Sequence, residues 1–540
     1  MAGTAFAREW QARKSVVESR AGLVVAQNQK AARAGIAILE AGGNAVDAAI
    51  ATGFALGVVE PWMSGLGGGG AMLVWLAEQG RAVAIDMGMV APRALDPAAY
   101  PLTGGAGGDL FGWPEVLENR NLEGPLSICT PTWLAGIELA RARFGTMPIG
   151  ELVAPAVTLA REGLAVDWYA TLLIASSAVP LARHEAARAQ FLPAGQPPAP
   201  SWTGAPAILP LPALAQTLER IARDGAADFY RGGIAADLLD DLRAAGAELA
   251  AEDLLACAPA IRTPLVVPWR EAQILAMPGL FAGATFARAA ALLDRTHLRG
   301  LGGEAYRAYA SALRAAQAER LASMGDSPPG PSCTSHLCVL DRAGNLVALT
   351  QTLLSLFGSK VLSPRTGILL NNGVMWFDPR PGRPNSIAPG KRPLANMCPL
   401  IGLAGDRRFA LGASGGRRIL PALFQLVSFL LDFDMDLETA FHTPRIDTAE
   451  SEAIVADERL GAEVIAALET IAPVRATPPL VYPLAFACPS AVLHEPASDR
   501  RFGIAEPVQP WAGAQAEQPA SGLRDRGKRA NERASETGDG

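Results

Sequence analysis

Residues 334–352 read TSHLCVLDRAGNLVALTQT, two apolar segments on either side of the turn Asp341-Arg342-Ala343-Gly344-Asn345. Alternating apolar segments around a Gly/Asn turn are the pattern of a β-hairpin. The first residue, Thr334, carries a hydroxyl, and behind it lies GDSPPGPSC (325–333), a Pro- and Gly-rich stretch that reads as an exposed loop. A hydroxyl residue opening a strand after such a loop fits a chain that cuts itself. With the Cys333–Thr334 bond broken, Thr334 would hold a nucleophile and a freed α-amine base on one residue. Thr334, Thr350 and Thr352 also fit ordinary strand threonines, because Thr favours strands. Taken alone, that second reading is the more economical one.

The hairpin sits in a chain of 540 residues, 50% apolar and 19% charged, with a formal net charge of -6. Such a length allows a large core or several domains. The mild negative balance offers no electrostatic handle to nucleic acid or to an acidic membrane surface, so neither is expected as a partner. The N-terminal segment mixes charges of both signs and lacks the apolar core of a secretory signal. The apolar stretches 48–59 and 420–431 fall short of the roughly 18 residues of a membrane span. A soluble, cytoplasmic protein is the expectation. The six cysteines and five histidines have no metal-ligand spacing, so neither a disulfide framework nor a metal site is expected.

Upstream of the hairpin, Gln29–Ala41 and Ala45–Val59 read as helices. Gly42-Gly43 stops the first, and Asn44 caps the second with Asp47 in the reciprocal capping position. The second helix is apolar almost all round, which makes it central. SGLGGGG (64–70) follows, then strand-like AMLVWLAE and RAVAIDM. Gly65-x-Gly67-x-x-Gly70 has the spacing of a dinucleotide-binding motif but follows a helix and opens a strand, the reverse of that motif's context. Close backbone approach is the better reason for these glycines. Thr130–Gly163 reads as helical, residues 190–213 as a surface loop, and helices continue to about Met324. Past the hairpin, strands are expected at Thr366–Asn371, at FALGAS (409–414) and at 485–494. Residues 511–540 hold few large apolar groups and read as a disordered tail. Gly412-Ala413-Ser414-Gly415-Gly416 closes a strand and either presents backbone N–H groups to a developing oxyanion or simply turns into a helix. The pattern as a whole is sheets covered by helices, an α+β protein.

In order along the chain, AGGNAVDAAIATGFALGVVEP (41–61), SGLGGGGAMLVW (64–75), TPTWLAGIELARARFGTMP (130–148) and the hairpin resemble the γ-glutamyltransferases. FGS (357–359), GILLNN (367–372), GKRPLANMCP (390–399), GASGG (412–416) and ASDRRFG (497–503) continue the resemblance, which spans about Val24 to Gly503. These are N-terminal-nucleophile hydrolases made as one precursor. The resemblance implies a four-layer αββα sandwich with a single core built from two autoprocessed subunits, residues 1–333 and 334–540. It implies cleavage between Cys333 and Thr334, with Thr334 as nucleophile and its own amine as base. An α-amine with a reference pKa of about 7.7–8.0 suits that task. Thr352 matches the second threonine that supports the nucleophile, and Gly415 and Gly416 match the oxyanion pair. Ser335 and His336 keep a structural role. A small-molecule amide is the implied substrate, with no cofactor and no metal. The implied assembly is a heterodimer of the two cleavage fragments, higher homo-oligomers being left open.

The departures from the family pattern lie in substrate recognition. Gly88, in Asp86-Met87-Gly88-Met89, stands where an arginine grips the substrate's α-carboxylate. Leu354 replaces an asparagine, and Trp376, at the end of Asn371-Asn372-Gly373-Val374-Met375-Trp376, stands where an acidic residue holds the α-amino group. Ala395-Asn396 replaces a serine pair, and Gly279-Leu280-Phe281-Ala282-Gly283 a run rich in Pro and Ser. Gly88, Leu354, Trp376, Ala395 and Asn396 are thus the candidate substrate-binding residues. A carboxylate without its arginine loses a charge-assisted bidentate contact. The expectation is therefore an amide hydrolase or acyltransferase acting on a small acyl amide other than ordinary glutathione. Two alternatives stay open: a true γ-glutamyl (glutathione) hydrolase with altered head-group recognition, and an uncleaved, non-enzymatic binding module. Arg417 or Arg418 as a replacement charge is a weaker reading than a structural arginine.

Overall fold

The computed structural model describes residues 12–106, 113–293, 295, 298–323, 333–450 and 452–518. The loop expected to precede the cut lies outside these residues except for Cys333, as does the tail from 519 onward.

Helices α1 (Gln29–Glu40) and α2 (Ala45–Val59) form where the sequence places them. Asn44 accepts from the amides of Val46 and Asp47, while Asp47 accepts from the Asn44 amide at 3.0 Å. This reciprocal box satisfies donors that a helix start leaves open. Every residue of α2 except Gly57 is buried.

One face of α2 lies on a seven-stranded sheet. Its order is Gly513–Ala516, Leu23–Ala26, Cys333–Leu340, Leu346–Leu354, Gly69–Leu76, Arg81–Met87 and Ala260–Arg262. A second seven-stranded sheet faces it, in the order Val17–Ser19, Arg500–Ala505, Cys488–Glu495, Arg407–Ser414, Leu400–Ala404, Ala272–Ala276 and Leu265–Trp269. Among the described residues every pairing in both sheets is antiparallel. The helices Gly283–Leu292 and Ile419–Leu431 cover the outer face of the second sheet. The result is the expected helix–sheet–sheet–helix sandwich.

Strand alternation distributes the hairpin between two apolar layers. Leu337, Val339, Val347 and Leu349 pack toward the helices, while Cys338, Leu340, Leu346 and Ala348 pack between the sheets. By the same alternation Ser335 faces the helices, and Thr334 and His336 face the second sheet.

Four expectations need correction. Residues 511–518 are not part of a disordered tail. The Trp511 ring packs against Trp62 and Tyr169 at 5.6 and 5.2 Å, its Nε1 donates to Asp167 at 2.7 Å, and Gly513–Ala516 pairs with Leu23–Ala26. One tryptophan and an open strand edge suffice to order a segment otherwise poor in apolar groups. Thr366–Asn371 is not a strand: Gly367 has φ 68 and only isolated bridges form, at Leu369 and Leu370. The region read as continuous helices holds the strand pair Leu265–Trp269 and Ala272–Ala276. Pro268 is tolerated there because its strand is an edge. Finally, Ala207–Leu209, within the expected loop 190–213, pairs with Leu164–Val166. Among the described residues no helix is long and apolar enough to cross a membrane.

Candidate active site

The strands that carry the candidate residues end together. Cys333–Leu340 begins, Leu346–Leu354 ends, Gly69–Leu76 begins and Arg81–Met87 ends at one edge of the first sheet. In the facing sheet, Arg407–Ser414 ends at the same side, since the His336 ring packs on Gly412. Antiparallel pairing within the first sheet gathers Thr334, Thr352 and Gly88, and the packing of the two sheets adds Gly415-Gly416 at the same end of the sandwich.

The pairing is irregular where the chemistry is expected. Cys333 lies opposite Leu354 and Ser335 opposite Gln351, so one residue, Thr334, faces two, Thr352 and Leu353. Such a bulge re-aims side chains locally. Here Thr334 Oγ1 donates to Thr352 Oγ1 at 3.3 Å, and the Leu354 amide donates to the same Thr352 oxygen at 2.8 Å. Thr334 is only 2% exposed. Leu354, opposite the expected cut, holds φ 88, a strained value for a residue with a side chain.

The glycine run is required by backbone contact. A Cβ on Gly68 would collide with the Thr352 carbonyl oxygen, and one on Gly67 with that of Leu369. Asn371 fastens the same region: its Nδ2 donates to Gly67 and Cys129 carbonyls, both at 2.8 Å, and its Oδ1 accepts from the Cys129 and Gly373 amides. Asn372 likewise accepts from Ser355 and donates to Leu122. The paired asparagines are loop fasteners, a role the sequence reading did not assign.

Gly415 and Gly416 follow the strand with φ 130 and 63, both outside the range that side chains favour. The ideal Cβ position of Gly415 lies 2.9 Å from Ala487 Cα. His336 is a core residue: its Nδ1 meets Thr350 Oγ1 at 2.9 Å, and burial pushes its pKa down to about 3. It is neutral and has no charge to lend.

At Gly88 the missing side chain is replaced in space. Arg392 Nη2 lies 2.5 Å from where its Cβ would be, and the Arg392 guanidinium forms a two-point ion pair with Asp86. A guanidinium thus occupies this corner, delivered from a distant loop and already neutralised. No local sequence signal links Arg392 to Gly88. Arg417 stacks over Trp113 at 5.9 Å and Arg418 donates to the Leu484 carbonyl, so both have structural contacts.

Trp376 and the Leu394–Asn396 stretch are tied through Asn385, which donates to the Trp376 carbonyl at 2.7 Å and accepts from the Leu394 amide at 3.2 Å. The Ala395 amide donates to Leu280 and its carbonyl accepts from the buried Arg320. Trp376 Nε1 and Asn396 Nδ2 are both buried without a hydrogen-bond partner. Leu354 is fully buried. Among the described residues, no group of three or more His, Cys, Asp or Glu side chains could hold a metal ion.

The family model described as Gamma-glutamyltranspeptidase matches residues 31–332 and 327–473. The Acylase ACY 1 proenzyme of Pseudomonas sp. (strain V22) is 33% identical over 468 residues, covering 79% of this chain and 82% of its own. The Glutathione hydrolase proenzyme of Escherichia coli (strain K12) is 31% identical over 489 residues, covering 79% of this chain and 81% of its own. In structure the chain is similar to a cephalosporin acylase from Bacillus halodurans, with a TM-score of 0.82 over 95% of this chain and 98% of that one. At 22% identity that likeness speaks for the fold alone. Sequence over most of the chain and sandwich architecture agree, and the chain belongs to the gamma-glutamyltranspeptidase family of N-terminal-nucleophile hydrolases, whose activity is amide hydrolysis and acyl transfer.

Proposed function

We propose that the protein is a self-cleaving amide hydrolase whose nucleophile is Thr334 and whose acyl donor lacks the free α-amino group of a γ-glutamyl unit. The observation that carries the nucleophile is the Thr334–Thr352 hydroxyl pair, built by a bulge at the first strand residues after the expected cut. The two segments matched by the family model also meet at 327–332, directly ahead of that strand. Both named relatives are proenzymes.

In the cleaved form, the Thr334 hydroxyl adds to the amide carbonyl and its proton passes to the α-amine of the same residue. The Thr352 hydroxyl, oriented by the Leu354 amide, holds the reacting oxygen in line. The negative charge that develops on the carbonyl oxygen faces the backbone at Gly415-Gly416, where donors fixed before reaction stabilise it. The ammonium then protonates the departing amine, leaving a Thr334 ester that water or an amine resolves.

The acyl preference is supported by polarity. Trp376 Nε1–H is a donor, and the indole supplies no carboxylate to pair with a substrate ammonium. A second reading, a true γ-glutamyl hydrolase, is favoured by the Arg392 guanidinium beside Gly88, a carboxylate partner in waiting. Its existing pair with Asp86 weakens that role.

Intact-mass analysis of purified protein tests the cut: two fragments are expected, the smaller beginning at Thr334, and one uncut chain in the Thr334→Ala variant. Paired γ-glutamyl and glutaryl p-nitroanilides test the acyl preference. Turnover of the glutaryl compound at least tenfold faster is expected. The reverse order would establish the second reading, and hydrolysis by Thr334→Ala at the wild-type rate would refute the nucleophile.

A further inference from the structure

Behind the nucleophile, on the helix side of the first sheet, lies a buried carboxyl that the reaction above does not use. Glu60 follows the last turn of α2 and is 1% exposed. Neither of its oxygens has a hydrogen bond of full geometry, though the Asn28 and Ser335 side chains act on it as donors. Its nearest polar neighbours are Asn28 and Ser335, the residue that follows Thr334.

Ser335 belongs to a chain of buried polar groups. Ser64 Oγ donates to Ser335 Oγ at 3.1 Å, and Gln351 Nε2 donates to Ser64 Oγ at 2.9 Å and to the Gly53 carbonyl at 3.0 Å. Gln351 lies directly opposite Ser335 across the hairpin. Its Oε1 is also buried without a partner. The orphaned atoms around Ser335, two from Glu60 and one from Gln351, are thus all acceptors. A carboxylate here would be a buried charge with no countercharge, offset only by the neutral Asn28 and Ser335 side chains, which is strongly unfavourable. A carboxylic acid adds to the cluster a donor that a carboxylate cannot offer. No charged side chain contributes to holding Glu60: burial acts first and keeps its proton on up to about pH 8, with Asn28 and Ser335 partly offsetting. His336, the residue after Ser335, faces the opposite side of the strand toward Gly412.

We propose that Glu60 is a positioning residue which, as the neutral acid, donates into the Ser335–Ser64–Gln351 cluster and so holds the strand bearing Thr334 in register, and that its ionisation closes the alkaline side of the activity profile. The proton lost on ionisation passes to the buffer, leaving a charge against the back of the nucleophile strand that the cluster cannot accommodate without moving. Glu60 touches no substrate in this arrangement and acts only through Ser335.

The kinetic arm rests on the hydrolase reading, and the spectroscopic arm does not. Rates on the better of the two anilides are measured from pH 5.5 to 10 and scaled to each enzyme's own maximum. Wild type is expected to rise as the Thr334 amine loses its proton and to fall again above about pH 8. Glu60→Gln, which keeps a donor and cannot ionise, is expected to retain the acid limb and lose the alkaline one. A Glu60→Gln profile that superimposes on wild type would overturn the proposal. Should that variant fail to fold, infrared difference spectra of wild type between pH 6.5 and 9.5 decide. A carboxylic-acid carbonyl band lost on raising the pH, and displaced by 13C-glutamate labelling, is expected, and its absence overturns the proposal. If Thr334 is not the nucleophile, the band is still present while the kinetic arm is void, so the two failures are separable.

Discussion

The Leu354 amide donates to Thr352 Oγ1 at 2.8 Å from a left-handed backbone with φ 88, and the same Leu354 stands opposite Cys333 across the hairpin. The strained residue therefore touches both halves of the proposed chemistry: it orients the second hydroxyl and backs the bond proposed to be cut. Strain of this kind persists only where its surroundings over-determine it.

Thr352→Val removes the hydroxyl at nearly constant shape and leaves the Leu354 N–H buried and unpaired. Such a loss is worth about 1–3 kcal/mol, so kcat is expected to fall roughly 10- to 100-fold. Thr352→Ser should recover most of the rate. Steady-state kinetics on a chromogenic anilide checks both.

Gly68→Ala would drive a methyl group into the Thr352 carbonyl oxygen, backbone against backbone. Neither partner is a side chain that can swing away, so the cost should reach or exceed the roughly 1–3 kcal/mol of ordinary overpacking. A lowered Tm together with impaired cleavage is expected. Gly80→Ala, at a turn with open space around it but φ 59, should cost only the smaller backbone term. Thermal unfolding of the two variants side by side makes the comparison.

Arg392→Met would leave the Asp86 carboxylate without its partner. Breaking a buried pair costs about 3–5 kcal/mol, but the Arg392 side chain is 33% exposed, so roughly 1–3 kcal/mol is expected here. A rise in KM for acyl donors ending in a carboxylate, beyond this loss of stability, would mark Arg392 as a substrate contact. Unchanged KM would leave it a structural arginine.

Asp447 predicts a pH dependence of stability. It is buried, and burial raises its pKa from 3.8 to about 7, with Arg418 and the Ala449 amide partly opposing. Between those values the folded state keeps a proton that the unfolded state has released. Stability is therefore complete below pH 3.8 as far as this group is concerned, declines as pH rises, and levels off above about 7. The slope is at most about 1.4 kcal/mol per pH unit. Asp447→Asn should remove it, raising the free energy of unfolding at pH 7, as denaturant titrations at pH 5 and pH 7 would show.

Much of the fold was legible because the signals were local. The bounds of α2 were readable from Asn44, Asp47 and Pro61, all within one turn of the helix ends. The hairpin was readable from strict alternation around one turn. The strand pair at 265–276 was missed because Pro268 and the short run look like a helix boundary unless the strand is known to be an edge. Residues 511–518 were missed because their order rests on Trp62, Tyr169 and Asp167, hundreds of residues away.

The site divides along the same line. Sequence by itself, through its resemblance to a family, nominated the candidate residues: a hydroxyl opening a strand, a second hydroxyl on the partner strand, and glycines where backbones must meet. Tertiary structure alone decided what surrounds them: the bulge that brings Thr334 to Thr352, the Arg392 guanidinium filling the space left by Gly88, and the uncompensated carboxyl of Glu60 behind Ser335. The physical reason is range. Alternation, capping and turn chemistry act over a few residues and leave a mark in the chain, whereas burial, ion pairing and proton affinity depend on what long-range packing places within a few ångströms, which no local pattern records.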